Sequence, residues 1–262
     1  MPERSDADTP TWHLWLDTTP RPGWQNMAID QTLLEQSARQ GLAFLRLYRW
    51  EPHCLSFGRH EPAGRRYGRE RILALGVDTV RRPTGGRAVW HARELTYAVA
   101  APDSFGSLPE AYQRIHRMLR DAVRRLGGEA ELAPPPSRVP GPADGACFAA
   151  PVGGEIMVRG QKVVGSAQVR QDGAILQHGA MLLEDDQALV HALAGTALEA
   201  APEAPLSTLL GRPVPFAEAA SAVIEAAAPW SSDWQETDAD ALVRLAARHE
   251  ARYRDDSWTW ER

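Results

Sequence analysis

Cysteine is scarce in this chain of 262 residues: only Cys54 and Cys147 occur. Two thiols with no secretory segment fit a reducing cytoplasm better than a disulfide framework. No cysteines and histidines are spaced as zinc ligands, so no metal is expected. Long apolar runs are missing too. None approaches the ~18 residues of a membrane span, and the opening MPERSDADTP lacks the apolar core of a secretory signal. Positive charge is outnumbered: 29 Lys and Arg face 34 Asp and Glu, for a net charge of −5. That balance removes the basic footprint of a nucleic-acid-binding domain. There is no internal repeat and no linker long enough to divide the chain. Residues 1–10 are expected to be a disordered tail, and 11–262 a single domain.

What is present has the composition of a globular protein. Hydrophobic residues make up 44% and charged residues 24%, enough to bury a sizeable core. Trp12, Leu14 and Leu16 alternate with polar neighbours and predict a strand, ended by Pro20 to Gly23. Asn26 to Gln40 reads as a helix that Gly41 stops. Phe44 to Tyr48 and Cys54 to His60 read as strands, with Cys54 an inert packed thiol. Arg65 to Leu75 predicts a short helix, and Leu108 to Leu126 a longer one closed by Gly127-Gly128. Arg114, Arg117, Arg120 and Arg124 share a face of the longer helix. That face is either solvated or a dock for an acidic partner. Residues 133–146 form a Pro- and Gly-rich stretch of a length that is often functional. Glu155 to Leu183 predicts a β-meander with turns at Arg159-Gly160 and at Gln171 to Gly173. Beyond Glu184 the pattern is alanine-rich and helical, broken by Pro202, Pro205, Pro213, Pro215 and Pro229. Ala239 to Tyr253 is its last long helix.

The stretch Arg81 to Ala98, RRPTGGRAVWHARELTYA, organises the chain. Thr84-Gly85-Gly86 can turn through positive φ and present bare backbone. Arg81 and Arg82 can hold a carboxylate or phosphate in fork geometry. A β-hairpin with a glycine turn and solvated arginines fits the same residues.

Two residues carry candidate chemistry. Cys147 sits at the end of the Pro/Gly-rich stretch, in ACFAAP, and Lys162 opens a strand in RGQKVVGSAQ. A thiolate attacks thioesters readily, and a free thiol with a pKa of ~8.5 is only partly ionised at neutral pH. A neighbouring ammonium would favour the thiolate, and the same lysine could later take a proton from an incoming amine. Taken singly, such a cysteine packs and such a lysine is solvated.

RRPTGGRAVWH followed by ELTYAV resembles the signature of the lipoate/octanoate transferase and ligase family, which shares its fold with biotin protein ligases. NMAID, SFGR, GQKVVGSAQ and QHG resemble further segments of that family, in order, between about Asn26 and Leu183. Arg87 in place of a third glycine, with ACF, resembles its cysteine-loop octanoyltransferases. The resemblance implies an α+β fold, with a mainly antiparallel or mixed sheet flanked by helices. It makes Cys147 the acyl carrier and sets Lys162 at the acyl carbonyl. Arg82, Thr84, Gly85, Gly86, Arg87 and His91 would bind substrate from the glycine loop. Gly165, Ser166 and Ala167 would do so from one strand, and His178 and Gly179 from the next.

The implied partners are octanoyl-acyl carrier protein as donor and lipoyl domains as acceptors. Such acceptors are the glycine cleavage H protein and the E2 subunits of 2-oxoacid dehydrogenases. No cofactor, nucleic acid or membrane is implied, and the setting is cytoplasmic. The main rival is an ATP-dependent lipoate or octanoate ligase, or a catalytic subunit without its accessory domain. Arg87 and the ACF segment count against it. A non-catalytic carrier-binding protein and an octanoyl amidotransferase are weaker rivals.

Overall fold

The computed structural model describes residues 10–134, 154–185, 187–195 and 203–261. The tail expected at 1–10 lies almost wholly outside them, as do most of the 133–146 stretch and Cys147. The first half of the chain runs β1 (Trp12–Leu16), α1 (Gly23–Gln40), β2 (Ala43–Tyr48), β3 (Cys54–Phe57), α2 (Ala63–Arg66) and α3 (Arg69–Ala74). It continues through β4 (Asp78–Arg81), β5 (Val89–His91), β6 (Glu94–Pro102) and α4 (Leu108–Arg125). The second half runs β7 (Ala130–Leu132), β8 (Ile156–Val158), β9 (Gln161–Lys162), β10 (Val164–Gln171) and β11 (Ala174–Leu182). Then follow α5 (Ala188–Leu193), α6 (Leu206–Leu210), α7 (Phe216–Ala227), β12 (Gln235–Glu236), α8 (Ala239–Arg254) and α9 (Asp256–Trp260).

Six strands form a mixed sheet in the order β10-β11-β6-β2-β1-β12. Pairing is antiparallel from β10 to β2 and parallel from β2 through β1 to β12. Strand alternation sends Leu95, Tyr97 and Val99 of β6 into the core shared with α4 and α7. Ala98 and Ala100 face the core built with α1 and α8. The expected α+β class, with helices on a mixed sheet, is what the chain adopts. Helix α4 starts where the Ser107 N–H donates to the Glu110 carboxylate at 2.8 Å. It ends before Gly127, at φ 96°. Among the described residues no helix is long and apolar enough to cross a membrane.

Three expectations need correction. Arg81 to Ala98 is not a hairpin. β5 pairs with β3, which also pairs with β4, while β6 lies between β2 and β11. Residues Glu94 to Ala101 are all buried, a pattern that requires cover on both faces of the strand. The meander is divided as well: β8 and β9 join β7 in a small sheet, and β10 and β11 join the large one. The helix expected over Arg65 to Leu75 breaks at Tyr67, which is extended at φ −118°, ψ 135°. That turn buries the Tyr67 ring against Phe57 and lets its hydroxyl donate to Glu61 at 2.8 Å.

Of the α4 arginine row, Arg117 is exposed and the other three contact their own fold. Arg114 lies over Phe105, Arg120 pairs with Asp121, and Arg124 donates to the Ala130 carbonyl. Cys54 is fully buried, and desolvation pushes its thiol pKa up, so it is inert as expected.

A charged cluster under the sheet joins α1 to β2. Arg46 is fully buried and donates to Asp17 at 2.7 Å, Asp30 at 3.0 Å and the Asn26 side chain at 2.7 Å. Removing one partner of such a cluster leaves buried charge uncompensated. Arg46→Leu is therefore expected to lose ~3–5 kcal/mol of stability in urea unfolding. A loss under ~1 kcal/mol, the range of exposed pairs, would contradict this account.

Candidate active site

A slot opens on the α1 side of the large sheet, between it and the β4-β3-β5 sheet. Met27 of α1, Tyr48 and Thr96 form part of its wall, with Arg82, Val89 and His91 from the glycine-loop stretch. Gly165 to Ala167 of β10 and His178 to Ala180 of β11 form the rest. Its open space is small, about 20 Å³, close to that needed by a single water. Its walls are mainly apolar, with a few polar groups fixed by hydrogen bonds.

The glycine loop is held by backbone proximity and by two arginines. A Cβ on Gly58 would lie 1.8 Å from the Gly86 carbonyl oxygen, so only glycine lets the two segments meet. Gly86 itself sits at φ 85°. Arg81, expected as a possible anion fork, is fully buried. It donates to the carbonyls of Gly58, Glu61, Trp258 and Thr259 at 2.6 to 2.8 Å. Arg82 donates to Ser56, to the Gly85 carbonyl at 3.2 Å and to the Arg87 carbonyl at 2.7 Å. These guanidinium groups brace the loop, and Arg82 lines the slot from that braced position.

Two histidines are fixed by carboxylates. His178 Nδ1 lies 2.8 Å from Asp30, and Nε2 lies 2.6 Å from the Thr84 hydroxyl. Burial lowers the His178 pKa, against the opposing pull of Asp30. The neutral ring then donates from Nδ1 and accepts the Thr84 proton at Nε2. His91 Nδ1 lies 2.6 Å from Glu94, and Nε2 lies 2.6 Å from Ser56.

Lys162 is 1% exposed, and its ammonium donates to Glu155 at 2.5 Å. It is not the solvated lysine that its position at a strand start suggests. A third histidine stands close by. His116 Nδ1 donates to the Gly154 carbonyl at 2.7 Å, so its neutral Nε2 accepts from Ser166 at 2.9 Å. Ser166 in turn accepts from Tyr97, and Tyr97 from Gln177, at 2.7 and 2.9 Å. Desolvation chiefly, and then the Lys162 charge, lower the His116 pKa to about 4.

Arg82, His91, Gly165, Ser166, Ala167, His178 and Gly179 are thus brought together at the slot. Thr84 reaches it by holding His178, while Gly85, Gly86 and Arg87 frame the loop outside the lining. Gly179 has a steric reason as well: a Cβ there would lie 2.2 Å from the Gly165 carbonyl oxygen. Cys147 lies outside the described residues. Met27 falls in the NMAID segment, while Tyr48, Trp50, His116 and Glu155 were missed. Glu155, seven positions before Lys162 in the same meander, was the one with a local signal. Among the described residues no group of three or more His, Cys, Asp or Glu could hold a metal ion.

This architecture is that of the lipoate-protein ligase fold. A bi-partite lipoate protein ligase structure from Thermoplasma acidophilum superposes with a TM-score of 0.74 at 18% identity, covering 96% of each chain. Residues 22–228 match the lipoyl protein ligase A/B catalytic domain, and the chain belongs to that family. It is 43% identical over 185 residues to an octanoyltransferase LipM of Kyrpidia tusciae, covering 67% of each chain. A second octanoyltransferase LipM, from Exiguobacterium sibiricum, is 34% identical over 274 residues, covering 90% of this chain and 94% of the relative.

Two outcomes test this geometry. Gly58→Ala is expected to cost ~1–3 kcal/mol by forcing the glycine loop away. Gly85→Ala, with no atom of the described residues within 4 Å of its new Cβ, should change stability by under ~0.5 kcal/mol. Equal losses in chemical unfolding would refute the close-approach argument.

The second outcome concerns pH. His116 is neutral when folded but has a pKa of ~6.5 when unfolded, so the unfolded chain takes up the extra proton below that value. Stability should be full above ~6.5 and fall as the pH drops toward about 4. His116 accounts for about 2 kcal/mol of loss between about pH 7 and pH 5. His116→Gln should flatten the melting-temperature profile over that range. An unchanged slope would place the titration elsewhere.

Proposed function

We propose that the chain is an octanoyltransferase, with residues 11–262 acting as one catalytic domain. It moves an octanoyl group from octanoyl-acyl carrier protein to the target lysine of a lipoyl domain in lipoate biosynthesis. The observation that carries this reading is a narrow apolar slot with the buried Lys162–Glu155 pair three residues from its Gly165 wall. Two relatives named octanoyltransferase, over a third identical to this chain, support the choice of acyl group. Lipoyl domains of the glycine cleavage H protein and of 2-oxoacid dehydrogenase E2 subunits carry the lysine this chemistry needs. The reaction belongs in the cytoplasm and uses no cofactor.

The chemistry runs in two balanced steps. The Cys147 thiolate attacks the carbonyl carbon of the octanoyl thioester. A new C–S bond forms, the old one breaks, and the carrier leaves as a thiol after taking a proton. The lipoyl-domain amine then attacks the Cys147 thioester, an amide forms, and the thiolate is released. The Lys162 ammonium supplies positive charge where the carbonyl oxygen becomes negative. Its contact with Glu155 gives the proton lost by the amine a route away from the new amide. His178 and His91, both fixed by carboxylates, keep the walls of the slot in place.

The test is intact-mass spectrometry after mixing with octanoyl-acyl carrier protein and no ATP. Wild type and Cys54→Ala should gain one octanoyl group, and Cys147→Ala none. Lys162→Arg keeps the charge but gives up no proton. It should retain part of the first step and lose ~10²–10⁴ in the second. A protein that modifies lipoyl domains only with ATP and free acid would instead be a ligase.

A further inference from the structure

We infer that Trp50 is the stop that sets the longest acyl chain the slot accepts. This inference rests on the octanoyl reading for the identity of the chain. One row of residues crosses four strands beneath the slot: Gly165 faces Ala180, Ala180 faces Thr96, and Thr96 faces Tyr48. Three strand spacings of ~4.8 Å make the row ~14 Å long. Lys162, three residues before Gly165, marks the reacting end, so an acyl tail runs toward Tyr48 and Trp50. An extended eight-carbon chain with C–C bonds of ~1.5 Å spans on the order of 9 Å. The row is thus longer than such a tail by about one strand spacing of ~4.8 Å.

Trp50 closes that end. It is 3% exposed and lines two cavities, the slot and a second one of about 220 Å³. Trp50 therefore lies where the two cavities border each other. The ring is pinned from two sides: Nε1 donates to the Thr96 hydroxyl at 2.7 Å, and one face stacks on His91 at 4.0 Å and 15°. His91 is itself held by Glu94 and Ser56, so the indole cannot rotate aside without breaking that set. The second cavity has a different character from the slot. Arg49, His53, Arg93 and Glu94 line it together with Leu183 and Phe216. Among the described residues, two atoms of its lining residues, Glu94 Oε2 and Arg49 Nε, are buried without a hydrogen-bond partner. Trp50 thus stands between an apolar slot and a polar cavity, and a smaller side chain at this position would join them.

The experiment measures acylation of the whole protein by intact mass, using carrier protein loaded with octanoyl, decanoyl, dodecanoyl or tetradecanoyl chains. Wild type is expected to react with octanoyl about tenfold or more faster than with dodecanoyl. Trp50→Ala and Trp50→Leu should shrink that ratio by a similar factor, while Trp50→Phe, still a large ring, should keep the octanoyl preference. Calorimetry with free octanoate and dodecanoate reads the same limit without any chemistry. The inference is overturned if wild type accepts dodecanoyl as fast as octanoyl, or if the Ala and Leu variants keep the wild-type ratio. Wild type that no loaded carrier acylates would overturn the transferase reading instead. The free-acid binding ratio then decides the role of Trp50 by itself.

Discussion

One carboxylate sets the geometry of the site. Asp30 lies in the middle of α1 with no exposure, and three donors from two strands converge on it. Arg46 and Tyr48 of β2 and His178 of β11 lie 2.8 to 3.0 Å from its oxygens. An ionised carboxylate out of water is tolerated only when its lone pairs are filled. The helix and the sheet are therefore obliged to meet in one register. From His178 the constraint passes to Thr84, and so to the glycine loop that forms one rim of the slot. Burial, and then the Asp30 charge, push the Tyr48 hydroxyl pKa up, so the tyrosine stays a donor.

The slot is then shaped by close approach as much as by side chains. Gly58 lets the glycine loop touch the end of β3, and Gly179 lets β11 lie against β10 where the wall turns. Apolar surface is supplied by Met27, Val89 and Ala180, and polar groups sit only where a partner holds them. A site built in this way is rigid before any ligand arrives, which limits the ordering cost of binding.

Much of this was readable from local patterns. Alternation located β1, apolar runs between turn residues located β2 and the meander strands, and glycine stops located the ends of α1 and α4. Motifs at Arg82, His91, Gly165 to Ala167 and His178-Gly179 pointed to residues that do meet at the slot. The partners were not readable, because each lies far along the chain. Nothing near Arg81 announces that its acceptors include Trp258, and nothing near His178 points back to Asp30. The arginines read as forks for an anion proved to be filled by backbone carbonyls. A guanidinium carries five donors and no local signal of who receives them. The false hairpin has a similar origin: β5 and β6 are neighbours in sequence, but β6 is a fully buried strand and belongs at the centre of the large sheet.

The latch formed by Arg81 also bears on the order in which the protein can be completed. Its acceptors at Trp258 and Thr259 lie 177 and 178 positions downstream. A ribosome adding ~5–20 residues per second needs on the order of ten seconds or more to cover that distance. Until then a guanidinium destined for full burial has only part of its acceptor set, and the rim of the slot has no stable seat. The nascent chain can therefore pair β2, β6, β10 and β11 well before the rim of the slot is seated on residues 258 and 259.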